Sequence, residues 1–107
     1  MSALIQVQTT FASAEDATAV ARTLVSEQLA ACAQVLPGIT SIYVWEEMLR
    51  HEQEALLLLK TTEATWPALR DRLSDLHSYD TPEIIALSVV QASFDYATWV
   101  RDSVKLG

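Results

Sequence analysis

Apolar and polar positions alternate through LIQVQTTF, with Ile5, Val7, Thr9 and Phe11 facing one way and Gln6, Gln8 and Thr10 the other. That period of two predicts a first strand. In SAED, Ser13 is placed to cap a helix, and Glu15 and Asp16 in its first turn favour the helix dipole. Ala17, Val20, Ala21, Leu24 and Val25 then recur at three- and four-residue steps, so a helix runs to about Leu29. ACAQVLPG reads as a short second strand that stops at Pro37-Gly38.

Between Leu29 and Thr62 the pattern changes, and the segment reads as a long β-hairpin arm. ITSIYVW carries apolar side chains on both faces, Ile39, Tyr43 and Trp45 on one and Ile42 and Val44 on the other. The return limb, ALLLLKTT, has four consecutive leucines. The turn falls within Glu46 to Gln53, a charged segment lacking Gly or Asn. Limbs of eight to ten residues reach roughly 26 to 33 Å at the usual strand rise. Beyond Thr62, helical spacing of Trp66, Leu69, Leu73 and Leu76 predicts a second helix, with Pro67 in its first turn. HSYDTP is a loop, EIIALSVVQA a buried strand, and Phe94 to Val104 a closing helix with Tyr96, Trp99, Val100 and Val104 on one side.

The order β-α-β-β-α-β plus a terminal helix is the split βαβ, ferredoxin-like plan of the α+β class, in one domain spanning residues 1–107. Both main helices then cover one face of an antiparallel sheet. The second face is apolar without a cover of its own, which predicts self-association.

Composition narrows the function. Fourteen acidic against seven basic side chains give a net charge of −7, which repels phosphate backbones and suits either cations or nothing specific, a solvated acidic surface being also an ordinary solubility device. No apolar run is long enough for a membrane span, and MSALIQVQTT lacks the basic start and apolar stretch of a signal peptide. One cysteine, Cys32, allows no intramolecular disulfide and favours a reducing compartment, so a cytoplasmic location is expected. There is no nucleophile motif, Gly-rich phosphate loop or paired-carboxylate pattern, so an enzyme is not expected.

LAACAQVLPGITSIYVW, LLLLKTT, HSYDTPEIIAL and DYATWV together resemble the CutA divalent-cation tolerance family over nearly the whole chain. The resemblance implies a ferredoxin-like fold assembled as a homotrimer, similar in architecture to the PII signalling proteins, with clefts between subunits. It implies a binding or signalling role in the response to divalent metals, Cu(II) first among them, and no organic cofactor. The chain departs from the family pattern at Ser78, usually proline, at Gln34, commonly asparagine, and at the glycine-free tip WEEMLR. Thr9-Thr10 stands where copper-linked members carry a cysteine.

Two sets of residues are candidates for a site. Cys32 and His77 bear thiolate and imidazole ligands suited to copper or zinc, yet no metal-ligand spacing joins them. Their other readings are a small buried residue and a protonated cap on the second helix. Met48 and His51 could form a soft surface pair. Lys60 ends the leucine run and needs a carboxylate, Glu83 or Asp80, if partly buried. Such a pair is either structural or part of an inter-subunit cleft where Lys60, Glu83 and the ring of Trp45 or Tyr79 hold an anionic or zwitterionic small molecule. Tyr43, Tyr96 and Trp99 are expected in the core and in contacts between copies.

Overall fold

The structure, a computed structural model, describes residues 2–107. Its elements are β1 (Leu4–Phe11), α1 (Ala14–Ser26), β2 (Cys32–Trp45), β3 (Met48–Thr62), α2 (Trp66–Leu76), β4 (Ile85–Ser88) and α3 (Phe94–Ser103). The four strands form one antiparallel sheet in the order β2-β3-β1-β4. This is the expected ferredoxin-like arrangement.

Local chemistry accounts for most boundaries. Ser13 caps α1 by accepting the Asp16 N–H through its hydroxyl at 3.1 Å. The helix ends at Ser26, short of the expected Leu29. Gln28 turns left-handed at φ 60°, while the Gln28 and Leu29 N–H groups close back on the Val25 and Leu24 carbonyls. A bidentate ion pair, Arg72 Nε and Nη2 to Glu27 at 2.9 and 2.8 Å, then ties the end of α1 to α2. Hydrogen bonding to Arg72 holds the Glu27 carboxyl below its ordinary pKa.

The hairpin differs from expectation in two ways, the course of β2 and the length of the limbs. Pro37-Gly38 does not end a strand: β2 runs through it, and pairing slips by one residue between Leu36 and Ile39. Gly38, at φ +72°, supplies the left-handed conformation that this β-bulge requires. The turn lies within the expected window, at Glu46-Glu47, closing Trp45 onto Met48, so the return strand begins at Met48. Both glutamates have positive φ, 51° and 65°, the pattern of a type I′ turn, which matches strand twist but favours Asn and Gly. The limbs are therefore 14 and 15 residues long, and the molecule extends 45 Å along its longest axis against 25 and 21 Å across.

On one face of the sheet α1 and α2 bury Ile5, Val7, Phe11, Leu57 and Leu59 together with Leu24, Leu69 and Leu73. The other face is covered only at one end. There α3 lays Ala97, Val100 and Val104 against Leu4 and Ala31. The helical stripe thus centres on Ala97 and Val100. Tyr96 and Trp99, expected in the core and in contacts between copies, lie outside the core of the single chain and pack on each other with ring centres 5.7 Å apart. β4 also departs from expectation: all four residues are exposed, because it is an edge strand and no helix crosses the face that Ile85 and Leu87 share. Leu36, Ile85 and Leu87 keep 45, 42 and 45 % of their surface in solvent.

Candidate ligand cleft

The slip at Pro37-Gly38 has a consequence for the outer half of the arm. One extra residue in β2 exchanges the two sets of alternate side chains, so Ser41, Tyr43 and Trp45 share a face with Glu52 and Glu54. The loop from Ser78 to Glu83 crosses opposite them. A cleft of about 690 Å³ lies between, lined from the arm by Ser41, Tyr43, Trp45, Glu52 and Glu54, and from the loop by Tyr79, Asp80 and Glu83.

Hydrogen bonds fix the loop. His77, the residue after α2, stacks on Phe11 at 4.2 Å and 14°. Its Nε2 lies 2.9 Å from the Thr10 carbonyl and 3.1 Å from the Thr9 hydroxyl, while Nδ1 accepts the Tyr79 N–H at 3.1 Å. The Tyr79 hydroxyl donates to Glu54 Oε2 at 2.7 Å, and Gln8 Nε2 donates to Glu83 Oε2 at 3.1 Å. Glu54 is buried. Burial raises the Tyr79 phenol pKa well above its ordinary value, reinforced by its bond to Glu54 and by that charge. Tyr43 is pushed up by the same causes, burial first and then its bond to Glu52.

Four of the five residues expected around a small molecule meet here: Trp45, Tyr79, Asp80 and Glu83. Lys60 does not. Its Nζ donates to Gln34 Oε1 at 2.9 Å, and Glu83 turns to Gln8, so the expected Lys60–Glu83 pair is absent within the chain. The strand order explains this, since Lys60 pairs with Gln6 and Cys32 while Glu83 lies beyond β1. The lining holds four carboxylates, from Glu52, Glu54, Asp80 and Glu83, and no Lys or Arg. Within one chain this lining disfavours an anionic ligand. Glu52, Glu54 and Tyr43 were not anticipated. Their signal is the alternation in HEQE, legible only once the turn is placed at residues 46–47.

The soft-metal residues are scattered. Cys32 lies on the second face, opposite Lys60 in the β2–β3 pairing, whereas His77 stacks on Phe11 on the helix side. Tyr79 N–H can only donate and Thr10 C=O can only accept, so both His77 nitrogens are committed within the chain and no lone pair is free for a metal. Nor is His77 a charged cap, since burial lowers its pKa. Met48 and His51, three residues apart on one strand, point to opposite faces. Among the described residues no three His, Cys, Asp or Glu side chains gather closely enough to hold a metal ion.

Sheet order, helix placement and the long hairpin define a ferredoxin-like α+β protein with an extended arm. A model of the family described as CutA1 divalent ion tolerance protein matches residues 5–103. The divalent-cation tolerance protein CutA of Thermus thermophilus is 44% identical over 94 residues, covering 88% of this chain and 91% of the relative. CutA1 from Oryza sativa superposes with a TM-score of 0.95 at 35% identity, covering 99% of this chain and 97% of the other. CutA1 from Ehrlichia chaffeensis does so at 0.93 and 33%, covering 99% of each chain. The chain belongs to the CutA1 divalent ion tolerance family.

Proposed function

We propose that the protein is a non-enzymatic, cytoplasmic homotrimer that takes part in divalent-metal tolerance, its acidic cleft between arm and loop drawing cations toward it. The observation that carries this reading is the cleft's lining of four carboxylates without a basic residue. Carboxylate oxygens suit hard divalent ions, and Glu52, Asp80 and Glu83 are the exposed ones. Since no three converge among the described residues of one chain, a bound ion would complete its shell with water or a second copy. Copper, the metal the family resemblance names first, fits less well, because imidazole is its better partner and His77 is committed elsewhere. The cytoplasmic assignment rests on the single cysteine; a structural relative from Archaeoglobus fulgidus is described as periplasmic. Assembly is supported by the half-exposed leucines and isoleucine of the second face, where copies would supply the missing cover.

A second reading, a PII-like sensor of small molecules, draws on Trp45, Tyr43 and Tyr79, whose rings suit an organic cation. Titration calorimetry with Mn(II), Cu(II) and an organic diamine separates the readings. The metal reading expects Mn(II) to bind, and to bind at least about tenfold more weakly to a Glu52→Gln, Asp80→Asn double variant. Heat from the diamine alone moves the assignment to the sensor, and no heat from any ligand removes the cleft as a cation site.

A further inference from the structure

We propose that His77 is a titratable latch behind the loop that walls the cleft: neutral, it pins the Ser78–Glu83 loop, and protonated, it lets the loop go. The latch rests on the cleft reading only for its consequence; its own evidence is the geometry around one imidazole.

The partners assign the tautomer. A backbone N–H faces Nδ1 and a backbone carbonyl faces Nε2, so Nδ1 carries the lone pair and Nε2 the proton. A second proton has one place to go, Nδ1. There it would turn an acceptor into a donor that points at the Tyr79 N–H, 3.1 Å away. The bond is lost and a half-buried N–H is left without its acceptor. Tyr79 is also the loop's tie to the arm, through its hydroxyl on Glu54. A shift of the Tyr79 backbone therefore works against both ends of the loop's attachment and moves Asp80 away from Glu52.

The surroundings set where this happens. β1 packs Thr9, Thr10 and Phe11 on the ring, and none of them titrates. Tyr79 is beside it in its own loop, with ring centres 5.1 Å apart, and Glu54 of β3 supplies the one opposing charge. Desolvation outweighs the Thr10 carbonyl and Glu54, so the pKa is lowered. In the unfolded chain the imidazole takes up its proton at higher pH than in the fold. Stability is thus fully present above the ordinary histidine range, near pH 6.5, and declines as pH falls through the lowered value.

The test is an NMR titration of the labelled, assembled protein carrying His51→Asn, which leaves one imidazole to observe. The His77 ring and the Tyr79 and Asp80 amides should shift with one midpoint, and protection of the Tyr79 amide from exchange should fall about tenfold across it. A ring that titrates while the Tyr79 amide stays put overturns the latch, and this result requires no folded variant at residue 77. His77→Gln can accept from Tyr79 and donate to Thr10 without titrating, so its loop amides should be indifferent to pH between about 5 and 7. Loop shifts in that variant matching the parent's overturn the proposal equally. Because these readouts need no ligand, failure of the calorimetry would remove the cleft as a cation site and leave the latch standing.

Discussion

The two faces of this sheet are built from the same kinds of residue and meet different fates. Leu57 and Leu59, pointing toward α1 and α2, have no exposed surface, while Leu56 and Leu58, alternating with them, remain partly exposed, and Leu36 and Leu87 on the same second face are nearly half exposed. Hydrophobicity alone therefore does not tell an interior from a surface. What distinguishes the faces is whether the same chain supplies a helix to cover them. The first face is a finished core, and the second is finished only where α3 reaches Leu4 and Ala31.

The contrast can be broken at several points. Leu57→Ala should be the most costly change, about 2–5 kcal/mol by urea denaturation at every protein concentration. Leu58→Ala should cost as much only where a second copy covers it. An equal loss in a demonstrably monomeric sample would abolish the distinction. Next, Leu87→Asp should leave the helical circular dichroism intact. At the same time the mass by light scattering should fall from roughly three times 11.8 kDa toward that of one chain. Unchanged mass would mean that the second face is not the contact. The smallest effect belongs to the arm: replacing Glu46-Glu47 by Asn-Gly should stabilise the protein by about 1 kcal/mol by relieving two left-handed glutamates. A loss of stability would show that the glutamate side chains themselves hold the tip.

Much of this was legible in the sequence where burial is decided locally. Alternation in LIQVQTTF and the stripe from Ala17 to Leu24 produced a strand and a helix in their observed places, and the element order produced the topology. The errors share a cause. EIIALSVVQA looks buried because it is apolar and β-branched, but cover is a property of the fold around it, and this chain provides none at Ile85 and Leu87. The tip carries no turn residue, so its position could not be read from composition; register along two long strands forces it. From that one uncertainty Glu52 and Glu54 were hidden. Lys60 and Glu83 seemed natural partners until strand order placed β1 between them.

The length of β2 has one more implication, for the life of a newly made chain. β2 is an outer strand of 14 residues, and its free side offers unpaired backbone groups alongside Ile42, Val44 and other apolar side chains. Such an edge is a template for indiscriminate strand pairing, and Pro37 at the bulge is its one built-in obstacle. If copies do cover the second face as proposed, a newly made chain is in a race between ordered association and aggregation. Dilution and the rate of synthesis, more than the strength of its own core, should decide the winner.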